Sequence, residues 1–112
     1  MKHRIGKVNS LIMEELGKII LKEMEFPGLL VTLTEVETSD KMDRAVVDFS
    51  VLPSEKANEA LKILNRSASR LQHLLTEQIH LKPMPHIVFR IDQGPEEAAK
   101  IEKLFLEDKI EE

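Results

Sequence analysis

The sequence predicts a single two-layer α+β domain with the order α-β-β-α(kink)α-β and a short C-terminal helix. Apolar residues recur with helical spacing in residues 2–24 and 57–78, which indicates amphipathic helices. Three stretches, residues 31–38, 45–52 and 87–91, are rich in β-branched or alternating apolar residues and indicate strands. A helix that connects two strands favours their parallel pairing, so we expect helices on one face of a three-stranded mixed sheet.

The first helix and the hairpin follow from local patterns. Within positions 2–24, the apolar side chains form one stripe, at Ile5, Val8, Leu11, Ile12, Leu16, Ile19 and Met24. Pro27 ends this helix, because proline disfavours the helical conformation of the residue before it. The alternation of the first strand fails at Glu35-Val36, which predicts a β-bulge. The turn at residues 39–43 then joins two antiparallel strands, and the second strand turns one apolar face inward.

The second helical region is interrupted. Ser54 is the predicted N-cap, and the apolar stripe comprises Ala57, Ala60, Leu61, Leu64, Ala68, Leu71 and Leu75. Two serines flank Ala68, and serine hydroxyls can bend a helix by bonding to its own carbonyls. In the third strand Arg90 lies opposite the apolar residues, where we expect it to pair with Asp48.

The last part of the chain is predicted to form a helix and a tail. The final helix would bury Ala98, Ile101, Leu104 and Phe105. We expect the folded domain to span residues 1–106 and to be followed by an acidic tail at residues 107–112.

Composition narrows the class of protein. A chain of 112 residues with 42% hydrophobic and 32% charged residues is typical of one folded domain. The absence of cysteine excludes disulfides, thiolate metal sites and cysteine nucleophiles. Four Phe without Tyr or Trp argue against an aromatic platform for stacking bases. Charged residues interrupt the apolar run of the first helix, so we expect no membrane contact and a cytoplasmic protein.

Charge is segregated along the chain, which has a net charge of −4. Residues 1–10 contribute +3, residues 62–90 contribute +4, and the remainder therefore carries −11. Such segregation is typical of a protein that binds nucleic acid through one face. The alternative is that charged residues simply coat solvated faces.

Two basic groups are the candidate RNA-binding residues. The first begins the chain, and the second surrounds the interruption of the second helix, with Lys82 as an extension of it. Arg66, Arg70 and His73 follow helical spacing, and acids that would balance them are missing nearby in the sequence. We expect the groups to form one phosphate-facing flank, against the alternative of exposed polar stripes. The candidates are Lys2, His3, Arg4, Lys7, Arg66, Ser67, Ala68, Ser69, Arg70, His73 and Lys82.

The sequence shows no pattern typical of metal binding or catalysis. The four histidines lack the spacing of a metal site, and no phosphate-binding loop or nucleophile motif occurs. We therefore expect no enzyme activity, no metal or cofactor and no small-molecule substrate.

Five segments, in this order and spacing, carry a resemblance to a known family. They are FPGL at 26–29, VTLTEVETS at 31–39, AVVDFSV at 45–51, LNRSASRLQHLL at 64–75 and LKPMPHIVFRID at 81–92. Over residues 1 to about 105 the chain resembles the ribosome-binding factor A family, bacterial factors of small-subunit maturation.

The resemblance implies a KH-like fold of the second type, with a helix–kink–helix marked by Ala-x-Gly. Ser67-Ala68-Ser69 occupies that position here, so the glycine is absent and a gentler kink is expected. It also implies binding of the immature small ribosomal subunit and its ribosomal RNA, and help in late maturation, including processing of the precursor 5′ end. We expect a monomer. The alternative is an acidic protein–protein adaptor module with no direct RNA contact.

Overall fold

The computed structural model describes residues 2–92 and residue 94. The elements are α1 (Lys2–Glu23), β1 (Leu30–Thr38), β2 (Arg44–Leu52), a 3₁₀ turn (Ser54–Lys56), α2 (Ala57–Arg66), α3 (Ala68–Gln78) and β3 (His86–Ile91). This order confirms the predicted α+β arrangement through the third strand. The predicted C-terminal helix, the boundary at residue 106 and the acidic tail at residues 107–112 lie outside the described residues.

The sheet is mixed, with the strand order β1-β2-β3. β1 pairs with β2 in antiparallel orientation, and β2 pairs with β3 in parallel orientation. The register of the hairpin shifts between Leu33 and Glu35. This shift confirms the predicted bulge and places the extra residue at Thr34.

The core lies between the helices and one face of the sheet. Phe49 of β2 is fully buried, and its ring meets that of Phe89 edge to face, with centroids 6.4 Å apart. The other buried residues from this face of β2 and from the helices confirm most of each predicted stripe; they include Ile12, Leu16, Ala45, Val47, Val51, Leu64, Leu71 and Leu75. Leu11 is an exception: it is 37% exposed, so its predicted place in the buried stripe of α1 is wrong. Burial of these stripes fixes the orientation of each helix, and hence of the polar side chains on its other side.

The opposite face of the sheet carries the predicted ion pair. Arg90 Nε donates to Asp48 Oδ1 at 2.7 Å, and Arg90 Nη2 donates to Asp48 Oδ2 at 3.0 Å. Asp48 is buried, and its hydrogen bond and charge raise the pKa of Arg90. The two parallel hydrogen bonds join the planar guanidinium to both carboxylate oxygens, so Arg90 is engaged in this ion pair.

The connections between the elements differ from one sequence-based expectation. The prediction of Ser54 as the N-cap is wrong, because Ser54–Lys56 forms the 3₁₀ turn and α2 begins at Ala57 without a side-chain cap. The predicted end of α1 ahead of Pro27 is confirmed, because the helix ends at Glu23. It is followed by a turn in which Leu29 N–H donates to Phe26 O at 2.9 Å, and Gly28 there has the positive φ of 74° that this turn type requires.

The kink lies at Ser67, between α2 and α3. Its N–H is shared between the carbonyls of Ile63, at 3.3 Å, and Leu64, at 3.1 Å. Its φ of −99° and ψ of 4° are open to any residue, so the helix is interrupted here without a glycine.

The hairpin turn contains a carboxyl group with a lowered pKa. Ser39 Oγ donates to Asp43 Oδ1 at 2.6 Å, and this hydrogen bond holds the pKa of Asp43 below its ordinary value of 3.8. A carboxyl whose pKa is lower in the folded state stabilises the fold above its unfolded pKa, and this contribution is lost as the pH falls through the folded pKa.

Removal of this hydrogen bond should be visible in the titration of Asp43. We expect Ser39→Ala to raise the pKa of Asp43 in an NMR titration and to make unfolding less pH-dependent below about pH 4. Ser10→Ala, at an exposed serine of α1, is the control and should leave the Asp43 titration unchanged. An unshifted Asp43 titration in Ser39→Ala would contradict the assignment.

Candidate nucleic-acid interface

The kink presents a group of polar residues on the surface. We define the kink group as Arg66, Ser67, Ala68, Ser69 and Arg70. Leu64 and Leu71 on either side are buried, so α2 and α3 are both anchored in the core next to the kink. Arg66, Ser69 and Arg70 are consequently exposed, whereas Ser67 and Ala68 are partly buried.

Acids do balance two of the candidate residues near the kink, Arg70 of the kink group and the nearby His73, which corrects the expectation from the sequence. Arg70 Nη2 lies 2.9 Å from Glu23 Oε2, at the C-terminal end of α1. His73 Nε2 lies 2.8 Å from Glu77 Oε1, so a protonated imidazole would be paired within α3. The Arg70 partner could not be found from local spacing, because it lies 47 positions away in the chain.

Arg66 differs from Arg70 in its ion pairing. Within the part of the chain that the structure describes, Arg66 forms no ion pair. The kink group therefore retains one guanidinium that is exposed and unengaged by these residues. The Arg70–Glu23 pair is itself on the surface, where such pairs contribute about 0–1 kcal/mol and can exchange partners.

The N-terminal end of α3 presents backbone N–H donors at the kink, where it meets the C-terminal end of α2, which carries the opposite partial charge. A helix carries roughly half a positive charge at its N-terminal end, where its first N–H groups lack helical acceptors. Ser67 makes no side-chain capping hydrogen bond, and the first turn of α3 has no acidic residue. The helix end and Arg66 thus favour an anion at the same place.

The N-terminal basic residues do not join the kink group. Lys7 precedes Glu23 by 16 positions in α1, which corresponds to about 24 Å along the helix axis. Since Arg70 contacts Glu23, the kink lies against the C-terminal end of α1, and the prediction of one continuous flank is wrong. Lys2 and His3 belong to the first turn of α1, with Arg4 and Lys7 following as exposed residues.

A second basic group lies where β1 ends and β2 and β3 begin. Asn9 Oδ1 accepts a hydrogen bond from Thr38 N–H at 2.9 Å, which places the start of α1 at this end of the sheet. Arg44 and His86 are register partners in β2 and β3. We define the sheet-end group as the basic residues at this end of the sheet, namely Arg4, Lys7, Arg44, Lys82 and His86. Arg44 and His86 lie on the face that carries Asp48 and Arg90, whereas Arg4 and Lys7 lie on α1, which packs on the other face.

Lys82 belongs to this second group by its place in the chain. It lies in the loop between α3 and β3, beyond the full length of α3, about 15 Å of helix from the kink. The expectation that it extends the kink group is therefore wrong. Sequence reasoning also missed Arg44 and His86, although neighbouring parallel strands begin at the same edge of a sheet and both residues begin their strands.

The described residues show neither a metal centre nor a membrane span. Across residues 2–92 and 94, no three His, Asp or Glu side chains converge as metal ligands would. No helix within these same residues is long and apolar enough to cross a bilayer.

Comparison with known proteins gives a consistent assignment. Residues 4–105 match the family model of Ribosome-binding factor A. A protein of Lactobacillus acidophilus with the name Ribosome-binding factor A is 33% identical over 112 residues, an alignment that covers 97% of this chain and 93% of the relative.

Solved structures agree with the fold. The crystal structure of ribosome-binding factor A from Thermus thermophilus superposes with a TM-score of 0.67 at 20% identity, covering 80% of this chain and 98% of the other. A Thermus thermophilus homology model fitted into the cryo-EM map of a 30S–RbfA complex gives a TM-score of 0.64 at 24% identity, covering 73% and 88%. With a family match that spans nearly its whole length, this chain belongs to the ribosome-binding factor A family.

Proposed function

We propose that this protein binds the immature small ribosomal subunit in direct contact with its ribosomal RNA. The observation that carries this proposal is the match of residues 4–105 to a family named for ribosome binding. A relative from Thermus thermophilus has been fitted into the map of a complex with the 30S subunit, which supports the small subunit as the partner.

The kink group is the proposed first contact with RNA. Arg66 offers a planar fork of donors that suits a phosphate, and the hydroxyl of Ser69 can donate to a phosphate oxygen. Arg70 can exchange Glu23 for a phosphate, because both side chains of that pair reach solvent, at 64% and 29% exposure. The first N–H groups of α3 can donate to the same anion.

The sheet-end group is the proposed second contact. Lys7 lies about 24 Å along α1 from Glu23, the residue that contacts Arg70, so one phosphate cannot bridge the two groups. Two separated contacts without base-stacking aromatics suit a partner that is recognised by the folded shape of its RNA. By binding in this way the protein would aid late maturation, including processing of the precursor 5′ end, without a chemical step of its own.

An acidic adaptor remains the second candidate, and one observation favours it. On the sheet face away from the helices, Glu35 is the register partner of Asp48, and Glu37 lies near enough to contribute with them to the raised pKa of Arg90. Around Arg90, the three carboxylates of Glu35, Glu37 and Asp48 therefore outnumber the one guanidinium, and this part of the face could receive a basic protein.

The salt dependence of binding separates the two candidates. If about six phosphates are contacted, affinity for small subunits or bare ribosomal RNA should fall roughly a thousandfold between 50 and 200 mM salt. Fluorescence anisotropy with labelled protein measures this slope, and cosedimentation with small against large subunits measures the choice of partner. Binding to small subunits with a flat slope on bare RNA would favour the adaptor. Equal cosedimentation with both subunits would contradict the proposed partner.

A further inference from the structure

An apolar groove lies between α1 and the outer edge of β1. It encloses about 430 Å³. Leu21 and Leu30 in its lining are 86% and 60% exposed, which is unusual for large apolar side chains that lie together. The residues that define it here are Met13, Gly17, Leu21, Phe26, Leu30 and Leu33.

Gly17 lines this groove on the α1 side. A Cβ at Gly17 would meet no other atom within 4 Å, so the packing of the described residues does not require glycine here. Glycine inside a helix costs about 1 kcal/mol relative to alanine. Its presence leaves the α1 backbone open to the close approach of another chain segment.

We propose that the C-terminal segment of this chain, residues 98–105, docks in the groove. In a helix, Ala98, Ile101, Leu104 and Phe105 would share one face, because the last three follow Ala98 by three, six and seven positions. An amphipathic segment of this kind requires an apolar partner surface, and the groove provides one.

The end of β3 lies within reach of the groove. Gly94 lines a cleft together with Ser50 and Val51 of β2. These two residues pair with Thr32 and Val31 of β1, which line the groove. Neighbouring strands are about 4.8 Å apart, so the path from β3 across β2 to β1 covers two spacings, or about 10 Å. Gly94 is helical, and at a rise of about 1.5 Å per residue a helix would cover this distance in about seven residues, which is the separation of Gly94 from Ile101.

Docking would have two consequences for the fold. It would bury the exposed parts of Leu21 and Leu30. It would also cover the free edge of β1, which is an outer strand of the sheet and therefore open to pairing with other chains.

A tryptophan reporter tests this proposal in the full-length chain. The chain has no Trp and no Tyr, so Phe105→Trp introduces the single strong fluorophore. We expect its emission to be blue-shifted and shielded from acrylamide, as in an apolar site. Adding Gly17→Arg should place a charged side chain in the groove, shift the emission to the red and expose the fluorophore to the quencher.

Gly6→Arg is the matched control. Gly6 lies in the same helix, and a Cβ at this position would also meet no other atom within 4 Å, but Gly6 does not line the groove. The substitution should leave the emission unchanged, and circular dichroism verifies that both arginine variants fold. Water-like emission of Phe105→Trp alone would overturn the proposal, as would a blue shift that Gly17→Arg does not alter. A blue shift that disappears on dilution would assign the groove to a second copy and would also overturn it.

Discussion

Arg66→Glu combined with Arg70→Glu is expected to weaken binding to the small ribosomal subunit about a hundredfold. Each arginine is proposed to make a charge-assisted hydrogen bond to phosphate, and the loss of one such bond costs about 1.5–3 kcal/mol, or roughly tenfold or more. The slope of log affinity against log salt should also become shallower by nearly two, because two phosphate contacts are removed. Anisotropy titrations at several salt concentrations measure both effects.

Two controls separate RNA contact from structural support. Glu23→Gln breaks the pair with Arg70 and keeps both arginines, so it should change stability by about 0–1 kcal/mol and leave binding intact or slightly stronger. Lys56→Glu is the matched charge reversal at an exposed lysine before α2, away from the kink, and it should have a much smaller effect than the double variant. Unchanged cosedimentation of the double variant would rule out the kink group as the contact.

Phe49→Ala is expected to lower the free energy of unfolding by about 3–5 kcal/mol. The side chain is fully buried, it packs edge to face against Phe89, and its truncation leaves a cavity that a close-packed core cannot fill. Because a domain of this size has a total stability of about 5–15 kcal/mol, the variant should be near the limit of folding. Urea unfolding followed by circular dichroism measures the loss.

Leu52→Ala in the same strand is the control for this substitution. Leu52 is 64% exposed on the other face of the sheet, so its truncation should change the unfolding free energy by about 0.5 kcal/mol or less. Similar losses in Phe49→Ala and Leu52→Ala would contradict the assignment of the core to the helix-covered face.

The fold could be predicted because its determinants are local. Period-two alternation in β2 identified the buried face, and helical spacing identified the stripes with Ile12, Leu64 and Leu71. The failure of alternation near Glu35 indicated the bulge, which the register shift confirms. The Asp48–Arg90 pair could also be anticipated, since each residue faces away from the apolar side of its own strand.

The candidate RNA-binding site was predicted less completely than the fold. The candidate residues could be identified by their charge and their place near the helix interruption, but their grouping could not. Sequence reasoning placed Lys82 and the N-terminal residues beside the kink, whereas the structure places them at the other end of α1. It also gave no signal for Glu23 as the partner of Arg70.

The sequence by itself determined the elements and the buried side of each, because the alternation of apolar and polar residues directly records which face avoids water. The tertiary structure alone decided that Arg70 meets Glu23 and that the basic residues fall into two groups. The start of α3 packs on the end of α1, and this packing brings Arg70 to Glu23 although the two residues lie far apart in the chain. Ion pairs and surface potential depend on distances in space, so the single flank expected from the sequence became two separate basic groups, with Arg70 partly neutralised and Arg66 without an ion pair among the described residues.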